Sequence, residues 1–185
     1  MALPLHIYQT FYPDIFLGDP YGCQVTLPLL SLLLVIRNGE VGPLPLKLQR
    51  SNCPMFWYGF NGRCYKYIAT HLTWADAELQ CVSLRANLVS IHSLEEHSFV
   101  KALVKNFDPA EGFTWIGLSD IHKEGRWMWS DGSAVNFVFW AAAQPDNAGK
   151  AEHCGHINLG TNLRWNDLPC SRTQPSVCAS RTVCP

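Results

Sequence analysis

The chain is poor in charge: Asp, Glu, Lys and Arg make up only 16% of its 185 residues, and the formal net charge is −1. Its Lys and Arg residues are scattered, so it carries no electrostatic footprint for nucleic acid and no basic amphipathic helix for a membrane surface. Long apolar runs are missing as well. The most apolar stretch, Val25 to Ile36, spans 12 residues, against about 20 needed to cross a bilayer as a helix, and no stable membrane insertion is expected. The sequence has no Asn-x-Ser/Thr sequon, Gly-x-Ser-x-Gly, His-Glu-x-x-His or phosphate-binding loop. N-glycosylation and the familiar hydrolase, metalloprotease and nucleotide-binding chemistries are therefore not expected, and an enzyme is not the reading. Internal repeats and low-complexity segments are also absent.

Cysteine, by contrast, is plentiful. Eight are present, at positions 23, 53, 64, 81, 154, 170, 178 and 184. So many in a short chain imply an oxidising compartment and a secreted, extracellular protein, although spacing alone leaves the pairing open. Val25–Ile36 fits the core of a signal peptide. However, residues 1–24 hold no Lys or Arg, Asp14 and Asp19 precede the run, and Arg37 and Glu40 interrupt a small-residue cleavage pattern. Residues 1–48 therefore read as an atypical signal peptide or an unstructured extension, followed by a Gly/Pro-bearing linker. Residues 49–181 read as one domain, and 182–185 as a tail.

Within the domain, Asn61-Gly62 is a turn signal between aromatic runs and predicts a hairpin. Thr73 is placed to cap a first helix through Asp76, with Trp74, Ala77, Cys81 and Val82 on one face. Ser93-Leu94-Glu95-Glu96 is a capping box that opens a second helix over about 94–105. Its buried stripe is Phe99, Val100, Leu103 and Val104. Candidate strands follow at 114–118, 126–130, 154–158, 162–166 and 175–180, which makes the fold α+β. Six of the seven tryptophans (74, 115, 127, 129, 140 and 165) fall after residue 70, and most are expected in the core.

The densest chemistry lies in Gln144-Pro145-Asp146, Glu152 and Trp165-Asn166-Asp167, next to Cys154 and Cys170. Asp146, Glu152 and Asp167 bring carboxylates, and Gln144 and Asn166 bring amides. Hard divalent cations such as calcium take about six to eight oxygen ligands of these kinds. A sugar hydroxyl bound to the cation can also donate to a carboxylate and accept from an amide N–H. Asp146 with Gln144, and Glu152 with Asn166, would then serve two neighbouring hydroxyls. Trp165 reads as a buried anchor that orients Asn166 and Asp167.

With Cys53…Cys64, Trp115-Ile116-Gly117-Leu118, Trp127-Met128-Trp129 and Cys178, these residues make the chain resemble the C-type lectin domains, in particular the fish galactose- or lactose-binding lectins. The likeness runs over about residues 53–181. It implies the C-type lectin fold, two helices packed on short antiparallel sheets with a long calcium-binding loop region. It also implies the disulfides Cys53–Cys64, Cys81–Cys178 and Cys154–Cys170, a cis Pro145, and calcium held by Gln144, Asp146, Glu152, Asn166 and Asp167, with Asp167 giving its backbone carbonyl too. Gln-Pro-Asp, where mannose-type relatives have Glu-Pro-Asn, implies galactose-containing glycans as partners and a role in innate recognition. Galactose binders often carry an aromatic residue just after the tripeptide, whereas this chain has Ala148 and no aromatic from Asn147 to Ala151, so weak single-site affinity is expected.

Asp120 and Glu124 match a second calcium position in relatives. Asn147 joins them as a third candidate, and Asn147 and His153 stand where relatives are acidic, which weakens that site. His153-Cys154-Gly155-His156 offers two imidazoles, too few for a typical zinc site once Cys154 is oxidised. Cys184 is left to form an intermolecular disulfide and a homo-oligomer, or to pair with Cys23 if the leader persists. The resemblance also extends to type II antifreeze proteins. Where those carry extra cysteines, this chain has Ile121, Ala141, His153 and Arg164. A domain of the same family binding a protein ligand is the remaining alternative.

Overall fold

Thr73 and Ser93 start the two helices as their sequences predict. Helix α1, Trp74–Ser83, is capped by the Thr73 side chain accepting from the Asp76 N–H, and α2, Leu94–Phe107, by Ser93 accepting from the Glu96 N–H. The computed structural model describes residues 35–37, 40–42, 48–49, 52–160 and 162–180. Expectations for the leader before residue 35, for Cys23, for Cys184 and for the tail lie outside the described residues. Residues 1–43 and 44–185 form separate units. In the first, β1 (Val35–Arg37) and β2 (Glu40–Gly42) pair antiparallel with Val35 opposite Gly42, a pairing that the reading of residues 1–48 as leader and linker does not anticipate.

In the second unit the chain builds β3 (Tyr58–Phe60), β4 (Arg63–Leu72), α1, β5 (Ala86–Leu88), α2, β6 (Thr114–Ser119), β7 (Met128–Trp129), β8 (Cys154–Leu159), β9 (Arg164–Leu168) and β10 (Gln174–Ser180). The sheet order is β3-β4-β10-β6-β8-β9, with β5 also on β10 and β7 also on β6. The Asn61-Gly62 turn closes β3 on β4, with both residues at positive φ. Most neighbours are antiparallel, but β10 meets β6 in parallel at Ser176 and Trp115.

Side chains alternate along these strands and divide the core in two. Tyr65 of β4, Ile116 and Leu118 of β6 and Val177 of β10 join Phe99, Val100, Leu103 and Val104 of α2. Trp115 and Cys178, one residue out of phase, join Ala77 and Cys81 of α1 and Leu88 of β5. The predicted stripe of α2 is buried throughout. On α1, Ala77 and Cys81 are buried but Val82 is 50% exposed. Glu78 takes the inward position instead, and its carboxylate accepts from Asn87 Nδ2, the Leu88 N–H and the Ser130 hydroxyl. Of the tryptophans, 57, 115, 129 and 165 are buried, while 74, 127 and 140 are half-buried.

Three disulfides staple the unit in the pairing that the resemblance implies: Cys53–Cys64, Cys81–Cys178 and Cys154–Cys170. A buried polar knot adds to them. Arg63 donates to Glu96 and to the carbonyls of Ser90 and Ser180, and lies 3.8 Å from Asp131. Glu96 also accepts from Tyr65 and from the His92 N–H. The capping-box side chain therefore ties α2 to β4 rather than reaching back to Ser93.

Candidate functional site

Strand β9 positions the site from the core outward. Trp165 is fully buried, with the rings of Trp129, Phe137 and Trp140 within 6 Å of its own. Its indole N–H donates to His97 Nδ1 at 3.1 Å. Burial, then the charges of Lys101 and Arg164, lower the His97 pKa to about 4, so at neutral pH the ring is uncharged and Nδ1 is free to accept. The Trp165 N–H reaches the Phe139 carbonyl at 3.0 Å, and the Ala141 N–H reaches the Trp165 carbonyl at 2.8 Å. The start of the long loop is thus strapped to the strand that carries Asn166 and Asp167.

Asp167 is fully buried. Its carboxylate accepts from the N–H groups of Asp146 (3.2 Å) and Asn147 (2.8 Å). Asn147, in the left-handed region, then accepts through Oδ1 from the Glu152 N–H at 3.0 Å, and Glu152 accepts from the Ala148 N–H at 3.3 Å. The peptide between Gln144 and Pro145 is cis, as the resemblance implies. Through these bonds the carboxylates of Asp146, Glu152 and Asp167 come within 4.8 Å of one another. Burial, followed by the charge of Asp167 and, more weakly, that of Asp146, pushes the Glu152 carboxyl up, against a lowering hydrogen bond from Ala148.

The amides complete the set. Gln144 Oε1 and Asn166 Oδ1 are both buried and have no hydrogen-bond donor, a costly state for a polar atom that nothing satisfies. His156 explains the orientation of Asn166. Its Nδ1 faces the Ile157 carbonyl at 2.9 Å and must donate, so Nε2 accepts from Asn166 Nδ2 at 3.2 Å. Burial lowers the His156 pKa to about 4 against that carbonyl bond, which keeps the acceptor available at neutral pH. Asn166 Nδ2 also donates to the Asp167 carbonyl at 2.6 Å. Both Asn166 hydrogens are therefore used within the protein and its oxygen is the free atom. Three converging carboxylates are donors of the kind a hard cation takes, and amide oxygens without donors are of that kind too; calcium suits such oxygens.

A second cluster lies alongside. His153 Nδ1 is 3.0 Å from Asp120 Oδ1 and 3.6 Å from Glu124 Oε2, and Asn147 Nδ2 donates to the same Glu124 oxygen. Asp120, Glu124 and Asn147 are thus brought together as expected. Asn147 presents an N–H there, however, and its oxygen is occupied by Glu152. His156 does not join His153. Three positions apart in extended chain, the two point to opposite faces, and His156 turns into the core. Of the residues that shape the site, His97 and His156 escaped the sequence reading. The His-Cys-Gly-His stretch drew attention only as a weak metal motif.

The sequence profile of the Lectin C-type domain matches residues 70–180. A type-2 ice-structuring protein of Osmerus mordax is 45% identical over 155 residues, covering 80% of this chain and 86% of that protein. The lactose-binding lectin l-2 of Anguilla japonica is 39% identical over 159 residues, covering 84% and 92%. Among solved structures, the C-type lectin CEL-I from Cucumaria echinata superposes with a TM-score of 0.69 at 34% identity, covering 72% of this chain and 100% of that one.

Proposed function

From the chain's membership of the C-type lectin domain family, we propose that it is a secreted, calcium-dependent lectin for galactose-type sugars, serving innate recognition of glycans. The observation that carries this reading is the convergence of the Asp146, Glu152 and Asp167 carboxylates within 4.8 Å of one another, with the amide oxygens of Gln144 and Asn166, near Asp146 and Asp167 in sequence, left without donors. Gln144, Asp146, Glu152, Asn166 and Asp167 would hold the ion. Bound calcium supplies the positive charge that lets these carboxylates converge and offers coordination positions to two sugar hydroxyls.

The protein's own groups then read those hydroxyls. Asp146 and Glu152 accept, and the Gln144 amide donates. Because Asn166 spends both hydrogens on His156 and the Asp167 carbonyl, the donor role rests on Gln144. The order Gln-Pro-Asp favours galactose over mannose, in line with the resemblance. Without an aromatic platform near Ala148, single-site affinity is weak, and a Cys184-linked homo-oligomer would raise it through effective concentration. A non-reducing gel tests that linkage, and a monomer alone refutes it.

A lactose column tests the main reading. The folded protein should bind in calcium and elute with chelator, and Asp146→Ala should abolish retention. Gln144→Glu with Asp146→Asn should keep calcium and move preference to mannose. Passage of folded, calcium-loaded protein through the column sinks the proposal. The ice-structuring relative motivates a second reading, which thermal hysteresis in the purified protein would support.

A further inference from the structure

We propose that Asp120, Glu124 and His153 form a second metal site selective for a zinc-class transition ion rather than calcium. Their ligand atoms lie within 4.8 Å of one another. The two distances from His153 Nδ1, 3.0 and 3.6 Å, bracket the edge of about 3.3 Å that follows from metal–ligand bonds of about 2.0–2.1 Å in a tetrahedron.

The donor set separates this site from its neighbour. The first cluster is all oxygen, whereas this one carries an imidazole nitrogen, a ligand that suits zinc and its d-block neighbours and is foreign to the oxygen shell of calcium. Charge points to a divalent cation. Asp120 is 1% exposed, and His153 is the only basic side chain in ion-pair reach of Asp120 or Glu124 among the described residues.

Outer-shell support is also in place. The Gly125 N–H holds the other Asp120 oxygen at 2.7 Å, and the Asp120 N–H donates to the His153 carbonyl at 3.1 Å. The acid and the imidazole are thereby fixed to each other, as ligands to a metal usually are. Glu124 is 58% exposed at its side chain, and Asn147 Nδ2 donates to the oxygen it turns toward His153, which leaves a fourth position for water. The site shares no ligand with the calcium cluster.

Calorimetric titration of the full chain with zinc, with calcium in excess to fill the first cluster, should show one zinc per chain. Cobalt in its place should give the visible absorption of a tetrahedral N/O site. His153→Ala should weaken zinc by at least the 10–100-fold that losing an outer-shell partner costs, on the order of two decades. Glu124→Gln, at an exposed position that leaves the fold intact by circular dichroism, should do likewise, while Asp146→Ala should keep zinc and lose lactose binding. Absence of zinc uptake overturns the proposal. So does affinity unchanged by His153→Ala and Glu124→Gln, which would place the ion at another histidine, and so does equal displacement of zinc by calcium. Each of these results leaves the lactose-column result untouched.

Discussion

Replacing Arg63 with Met is the sharpest test of what holds this fold together. The guanidinium is 11% exposed and reaches Glu96 at 2.8 Å and Asp131 at 3.8 Å, with side-chain exposures of 8% and 14% for the two acids. It also donates to the Ser90 and Ser180 carbonyls. Methionine fills similar volume with none of these bonds, so two largely buried carboxylates lose their cation. Breaking one buried pair costs about 3–5 kcal/mol, and urea unfolding at neutral pH should show a loss in that range.

The pH dependence separates charge from packing. Burial pushes the Asp131 carboxyl up, but hydrogen bonds from Ser133 and Ser90, together with the Arg63 charge, outweigh it and hold the pKa below its ordinary value of 3.8. A folded pKa below the unfolded one contributes stability above the unfolded value, and that stability is lost as pH falls through the folded value. Arg63→Met surrenders part of this contribution, so the gap between the two proteins should narrow as the solution approaches and passes pH 3.8. A cavity penalty would not change with pH. A loss under about 1 kcal/mol at neutral pH, or a gap constant with pH, refutes the reasoning. Replacing both Arg63 and Glu96 with Met should not recover the loss in full, since Asp131 stays without a cation and the Tyr65 hydroxyl and His92 N–H lose their acceptor.

Two further outcomes follow from the core. A Cβ on Gly117 would lie 2.7 Å from the Leu88 carbonyl oxygen and 2.8 Å from Ser130 Oγ, so Gly117→Ala should cost about 1–3 kcal/mol as overpacking between β5 and β6. A neutral result in chemical denaturation would show that these strands separate freely. His97 has a folded pKa of about 4 against an ordinary 6.5. Below the higher value the unfolded chain takes up a proton that the folded chain refuses, so stability should fall with acidification at about 1.4 kcal/mol per pH unit until the lower value is reached. His97→Gln keeps an oxygen acceptor for Trp165 and removes the titration. Urea midpoints in chelator across this window should fall less steeply in the variant, and equal slopes would discard the assignment.

Local signals carried far into this structure where one residue decides one feature. Thr73 and Ser93 mark the helix starts, Asn61-Gly62 marks the hairpin, and the period of α2 marks its buried face. Strands 114–118 and 154–158 were legible within a residue, and 162–166 sits two residues early against Arg164–Leu168. Only Met128–Trp129 of the expected 126–130 pairs as strand. The short β5 was not visible, since three residues carry too little alternation to read. Val82 misled because Glu78, polar by composition, satisfies its carboxylate inside the fold with donors from β5 and Ser130. The grouping of Asp146, Glu152 and Asp167 was legible because acid types close together beside Cys154 and Cys170 announce their chemistry. His97 and His156 were not, because their roles rest on which ring nitrogen faces which atom, and only the packed structure fixes that.

The placement of β10 bears on how the protein is made. Gln174–Ser180 is the last of the described strands along the chain, yet it lies at the centre of the sheet between β4 and β6 and also pairs β5. Until the ribosome releases these residues, β4 and β6 lack the strand that pairs with both, and Cys81 waits for Cys178 across 97 positions. Contacts so distant in sequence form slowly, so the sheet is completed only when the last described strand is in place. Cys53 and Cys64, 11 positions apart, can pair long before Cys81 meets its partner, so closure of Cys81–Cys178 comes late in synthesis and thiol–disulfide exchange is slow beside helix or hairpin formation.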